Sequence, residues 1–209
     1  MSEILLPIVV DLETSGLDLV KCGIWQIGAI DLNTMEEFFD EARIDDEDEI
    51  VNIPELEKTV FDITGKTEEE MREKTKQSQK ELIEKFLKWV DTRKMKNFVC
   101  QNPLWDVGWL NVRLNKYSYK RTFDHRSFDL HSIAQTKFFE LNGKFLIKEE
   151  KSDMGLKNVL KFCGMKDPRG VHNAFEDAKL TAECFNRLMF GKNLFPEFSK
   201  FEVPMELRK

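Results

Sequence analysis

The order of elements along the chain predicts an α/β domain, a central five-stranded mixed sheet with helices on both faces. Two patterns carry that expectation. Apolar runs of strand length occupy most of residues 5–44, and from residue 78 onward helical stripes alternate with two further short buried runs. A length of 209 residues suits one well-buried domain and is short for two.

Leu5 to Val10 is an apolar run interrupted only by Pro7, the pattern of a strand covered on both faces. Ile24 to Asn33 is a second strand, and Glu37 to Ile44 a third after the Asn33-Thr34 turn. The block Asp45-Asp46-Glu47-Asp48-Glu49 reads as a solvated loop, and Pro54 extends the irregular chain. Thr67 with Glu70, and Ser78 with Glu81, have the form of capping boxes that open helices. The second box precedes Leu82, Ile83, Phe86, Leu87 and Val90 at helical spacing. Asn97 to Gln101 is a short buried strand. Asn102-Pro103 then fits an N-cap and first helical residue, with Asp106 in the first turn of a helix through Leu114.

Residues 123–130 read as a strand, followed by a helix from Leu130 to about Leu141 that stops at Asn142-Gly143. A charged loop runs to Asp153. Leu156, Val159, Leu160 and Cys163 share a helix face that ends at Gly164, and Ala174, Ala178, Thr181, Phe185 and Leu188 define the last helix. The chain after Gly191 has no regular period. The expected organisation is a domain over residues 1–190 and a tail over 191–209, packed on it or extending from it.

No apolar run approaches the roughly 18 residues that span a membrane, and Met1-Ser2-Glu3 lacks the basic start of a signal peptide. Cys22, Cys100, Cys163 and Cys184 are scattered without metal-ligand spacing, so they read as reduced core thiols. A cytoplasmic location with no membrane partner is the expectation. The net charge of −6 argues weakly against a nucleic-acid binder. Basic residues nevertheless gather at Arg113, Lys116, Lys120, Arg121, His125 and Arg126, interleaved with Tyr117, Tyr119 and Phe123. That stretch suits a phosphate backbone or a polar helix end equally.

The chemistry-bearing stretch is the end of the first strand. Asp11 and Glu13, two positions apart in a strand, point to one face about 6.5 Å from each other. Carboxylates that close repel unless one takes a proton or a cation sits between them, and a hard divalent ion, Mg²⁺ or Mn²⁺, resolves the conflict. Solvated acids at a loop entrance are the other reading of such a tripeptide. Asp11-Leu12-Glu13-Thr14-Ser15-Gly16-Leu17 resembles the first motif of the DEDDh exonucleases, D-x-E-T-[TS]-G-L. Gln101 to Leu110 resembles the second, H-N-x-x-F-D-x-x-F-L, with Asn102, Asp106 and Leu110 in register. Gln101, Trp105 and Trp109 are departures from it. His172-Asn173-Ala174-Phe175-Glu176-Asp177-Ala178 resembles the third, H-x-A-x-x-D-A. Softer similarities at residues 62–67 and 154–160 extend the likeness over roughly residues 5–190. Each residue alone has a plainer reading: Asp106 and Asp177 as acids favoured by a helix dipole, His172 as a surface or capping histidine.

The resemblance implies a ribonuclease H-like fold and a 3′→5′ exonuclease that releases nucleoside 5′-monophosphates from the 3′ end of single-stranded nucleic acid, DNA favoured. Phosphodiester hydrolysis needs an activated water, charge stabilisation on the phosphoryl oxygens and a stabilised leaving oxygen. Two divalent ions about 3.5–4 Å apart supply all three. By resemblance Asp11 bridges two ions (Mg²⁺ or Mn²⁺), Glu13 and Asp177 complete one site, and Asp106 holds the other mainly through water. His172 is the general base, since histidine without perturbation titrates near about 6.5. Leu17 wedges beside the terminal base, the backbone at Thr14 receives the 3′ hydroxyl, and Asn102 and Trp105 complete the substrate-binding set. The same superfamily trims RNA, and a catalytically silent binding module keeping the fold is the rival of another class. That rival predicts loss of at least one of the five residues, and all are present. A polymerase or other protein partner is a further expectation, with the acidic block and the tail as docking surface.

Overall fold

The computed structural model of the protein describes residues 4–51 and 59–209; Met1 to Glu3 and Pro54 lie outside them. Five strands form one mixed sheet: β1 (Ile8–Thr14), β2 (Ile24–Asp31), β3 (Glu37–Glu41), β4 (Phe98–Cys100) and β5 (Ser127–Asp129), in the order β3-β2-β1-β4-β5. The first three run antiparallel to one another, while β1–β4 and β4–β5 are parallel. Helices cover both faces. Ile8, Val10 and Leu12 pack with Leu82, Phe86 and Leu110 from α3 (Gln79–Asp91) and α4 (Pro103–Lys116). Val9, Ile30 and Val99 pack on the other face with α5 (Leu130–Asn142), α6 (Leu156–Phe162) and α7 (Ala174–Phe190). The strand period therefore sends Asp11 and Glu13 to the α7 side, in line with Val9.

Two features bring α7 close enough to matter for that face. Gly28 stands opposite Asp11 in the β1–β2 register. A Cβ on Gly28 would lie 2.3 Å from the Ala174 carbonyl and 2.4 Å from the Phe175 nitrogen, so only glycine lets the start of α7 rest on the strand. Gln26, opposite Glu13, accepts a hydrogen bond from the Ala174 amide at 3.2 Å. Asn173 caps the helix by accepting from the Phe175 and Glu176 amides.

Several expectations shift. Two short helices precede α3: α2 (Glu68–Met71) opens at the Thr67 box as expected, whereas α1 (Val60–Thr64) is new and opens at a Thr59–Asp62 capping box. The strand expected over 123–130 contracts to Ser127–Asp129. The charged loop before Asp153 contains a small hairpin, β6 (Ile147–Lys148) and β7 (Lys151–Ser152), whose turn residues Glu149 and Glu150 both have left-handed backbone. Asn102 makes no side-chain cap bond at the start of α4; Pro103 follows it as expected.

The acidic block is a solvated loop only in part, with Asp46, Glu47 and Glu49 exposed. Asp48 is buried and accepts from Arg113 (3.3 Å), Lys116 (2.9 Å) and Gln79 (2.7 Å), and Arg72 donates to the Asp45 and Asp48 carbonyls. A charge taken out of water stays ionised only when its partners replace the lost solvent. The same pairing decides between the two readings of the basic stretch at two positions: Arg113, fully buried, and Lys116 are committed to Asp48. Arg121 donates to Asn111. All four cysteines are buried and free.

The chain after Gly191 packs on α7. Phe195, Val203 and Leu207 are buried. Glu183 accepts from the Leu194 and Phe195 amides, and Arg187 donates to the Phe198 and Phe201 carbonyls, both side chains fully buried and paired at 2.7 Å. Arg187→Ala leaves the buried Glu183 carboxyl without its guanidinium. The expected cost is about 3–5 kcal/mol of unfolding free energy, read from urea denaturation. A change below about 1 kcal/mol would mean that water replaces the pair.

Candidate active site

Where β1 ends, the carboxylates of Asp11 and Glu13 meet Asp177 in the first turn of α7 and Asp106 in the first turn of α4. The four line one cavity of about 560 Å³ together with His172, Thr14, Leu17, Asn102 and Trp105, so every residue expected from the motifs faces the same space. Leu17 is exposed at the rim, and Trp105 is half-buried against Trp109 with ring centroids 5.6 Å apart. Trp25 and Trp109 are buried core residues, and His131 bonds Ser152 away from the cavity. None of the six basic residues between Arg113 and Arg126 lines the cavity.

The acids are strained electrostatically. Burial, and then the neighbouring charges of Asp106, Asp177 and Glu13, push the Asp11 carboxyl well above the usual range. Burial followed by Asp177 and Asp106 raises Glu13 to about 8, and burial raises Asp106 to about 7 against hydrogen bonds from its own amide, Leu12 and Cys100. Asp177 is raised by burial and held back by Arg169 and His172. A cluster in this state is short of positive charge.

The residues present fit a divalent cation. Glu13, His172 and Asp177 each offer one ligand atom, all within 4.8 Å of one another. Asp177 Oδ1 is buried with no hydrogen-bond partner. Carboxylate oxygens are the donors that hard cations prefer. His172 Nδ1 lies 3.6 Å from Asp177 Oδ2 and 3.9 Å from Glu13 Oε1, and its side chain is 47% exposed. Its backbone amide donates to the Ile63 carbonyl, which ties the histidine to α1, whose Val60, Ile63 and Thr64 form one wall.

A family model for exonucleases matches residues 8–185 of the chain. The protein belongs to this exonuclease family. The ribonuclease H-like architecture expected from the motifs is the one its structural relatives share. The nuclease domain of 3′hExo, a DEDDh family member bound to rAMP, superposes with a TM-score of 0.63 at 13% identity, covering 95% of each chain. Cell-death related nuclease 4 gives 0.64 at 16% identity, over 88% of this chain and 63% of that one. E. coli exonuclease I in complex with a dT13 oligonucleotide gives 0.63 at 17%, over 87% of this chain and 40% of that one. The chain thus spans less than two thirds of the latter two. No curated protein matches it. Among the described residues, no helix is long and apolar enough to cross a membrane.

Sequence reasoning missed Arg169. Its guanidinium donates to Asp167 twice at 2.8 Å and to Asp177 Oδ2 at 3.1 Å, and it lines the cavity. The signal was a single arginine in the Asp167-Pro168-Arg169-Gly170 turn just before His172. Gln26 and Gly28, which seat α7, were missed as well.

The raised carboxyls set a pH dependence for the metal-free protein. Unfolded aspartate and glutamate titrate near about 4, whereas folded Glu13 and Asp106 titrate at about 8 and about 7. The folded state therefore binds more protons across that window, and stability falls as pH rises from about 4 to about 8. A divalent ion removes the repulsion, so its stabilising effect should be larger at pH 8 than at pH 5. Thermal melts with and without Mn²⁺ at both pH values read this directly; equal shifts would mean that the acids are already compensated.

Proposed function

We propose that the protein is a metal-dependent 3′→5′ exonuclease that releases nucleoside 5′-monophosphates from the 3′ end of a single strand, with DNA favoured. The observation that carries this is the gathering of Asp11, Glu13, Asp106, Asp177 and His172 around one cavity. That every member is retained weighs against a silent binding module. Asp11, Glu13, Asp106 and Asp177 would hold two Mg²⁺ or Mn²⁺ ions. The ions would supply charge stabilisation for the phosphoryl and leaving oxygens and lower the pKa of the attacking water.

The protein's own residues do the rest. His172, at the exposed mouth of the cavity, takes the proton from the attacking water. Leu17 presents an apolar edge to the terminal base and Trp105 a face on which a base can stack, neither of which demands a particular base. Asn102, whose side chain makes no cap bond, is available to the strand entering beside α4. The relative bound to a dT13 oligonucleotide supports a single DNA strand as substrate, and the relative bound to rAMP keeps RNA trimming as the alternative. Residues 1–190 are the catalytic domain and 191–209 a tail packed upon it. The buried thiols suit the reducing cytoplasm. A polymerase partner gains no support from these relatives.

The test is degradation of 3′- and 5′-labelled single-stranded DNA, duplex DNA and RNA, with and without Mg²⁺ or Mn²⁺. A 3′-phosphate should block digestion and a 5′-phosphate should not. Circular single strands cut as fast as linear ones would make the enzyme an endonuclease.

A further inference from the structure

We propose that Arg169 is an exchangeable counter-cation of the acidic site. It neutralises Asp177 while the site is metal-free, is displaced when the ions load, and then holds the substrate's phosphoryl group. This rests on the metal-dependent phosphodiesterase reading and adds a residue to it.

The arginine is gripped unevenly. Nε and Nη2 donate to Asp167 Oδ1 and Oδ2 at 2.8 Å each, a two-point fork, while Nη1 alone reaches Asp177 Oδ2 at 3.1 Å. Its side chain is 13% exposed and lines the cavity. The stronger hold is thus on a carboxylate outside the acid cluster. Letting go of Asp177 leaves Arg169 tethered at the cavity wall rather than released into solvent.

The single contact also does too little for the site. It meets one oxygen of one acid, while Asp177 Oδ1 is buried with no partner. A divalent ion carries twice the charge, competes for the same carboxylate and repels a guanidinium beside it. Apart from Arg169, only Lys157 and His172 among the described cavity-lining residues can carry positive charge. A phosphate entering so acidic a cavity needs such a group, and the planar fork of arginine matches phosphoryl oxygens.

The experiment is calorimetric titration of the whole chain with Mn²⁺, without substrate, followed by thymidine 5′-monophosphate titrated in Ca²⁺. Arg169→Gln should bind Mn²⁺ about tenfold more tightly, because one charge-assisted hydrogen bond no longer has to be broken. Asp167→Asn should bind it more weakly, since Arg169 then has only Asp177 to hold. Damage to the 167–170 turn would move both variants the same way. Arg169→Lys, which keeps the charge but loses the fork, should fall between Arg169→Gln and wild type. With the ions loaded, Arg169→Gln should bind the nucleotide about tenfold more weakly. Unchanged or weaker Mn²⁺ binding in Arg169→Gln, shifts of the same sign in both variants, or unchanged nucleotide affinity would overturn the proposal. Wild-type protein that binds no Mn²⁺ would instead defeat the metal reading on which the proposal stands.

Discussion

Asp11→Asn should abolish turnover, by about 10³-fold or more, and leave the protein folded. Asp11 lies in the middle of β1, paired in register with Gly28 and flanked on the same face by Val9 and Glu13. Its carboxyl feels the charges of Asp106, Asp177 and Glu13 together, so it sits among all three of the other acids. Asparagine has nearly the same shape, so the strand and the α7 contact survive while the charge goes. The metal-free variant should even melt at or above the wild type at pH 8, because one repelling buried acid has been removed. Calorimetry with Mn²⁺ should show the loss of at least one bound ion. Full activity in this variant, or in excess chelator, would remove the two-metal reading altogether.

The parts of the fold legible in the sequence are those where a local pattern has one job. The apolar stripe after Ser78 became α3 with its capping box closed, and the box at Thr67 opened α2. Alternation along β1 put Asp11 and Glu13 on one face. What escaped depends on partners far away in the chain. Whether Arg113 and Lys116 faced a phosphate backbone or ended a helix stayed open because Asp48, their counter-charge, lies more than sixty positions away. For the same reason the burial of Asp48 within the acidic block was not legible. The Thr59–Asp62 box was readable by the rule used at Thr67, yet its helix has only five residues and no stripe to announce it.

The candidate site divides the same way. Its acids and histidine were legible because each sits at a fixed spacing within a short motif. The residues that hold those motifs together were not. Gly28 reads as an ordinary strand glycine until the α7 backbone is laid across it, and Gln26 reads as a polar interruption until it receives the Ala174 amide. Arg169 sits in a turn with neither stripe nor motif. Its importance comes from two carboxylates that only the folded turn brings to it.

His172→Gln should keep metal and nucleic-acid affinity near wild type and lose about 10²–10⁴-fold in turnover, the usual contribution of a positioned base. The expected role as a base rests on the exposure and freedom of the ring. The imidazole is 47% exposed, and Nδ1 stands 3.6 Å from Asp177 and 3.9 Å from Glu13, too far for a tight hydrogen bond to either. Only its backbone is pinned, through the Ile63 carbonyl. A ring held that way can turn to a water at the cavity mouth and release the proton to solvent. Glutamine reproduces the size and polarity of the side chain but takes up no proton near neutral pH. Loss of turnover in the variant therefore reads the proton transfer itself, with side-chain size and polarity held nearly constant. The rival is written in the same distances, since His172, Glu13 and Asp177 also form a possible ligand trio. Mn²⁺ calorimetry separates the two: a variant that loses metal affinity but recovers turnover at saturating Mn²⁺ would make His172 a ligand and leave the base unassigned.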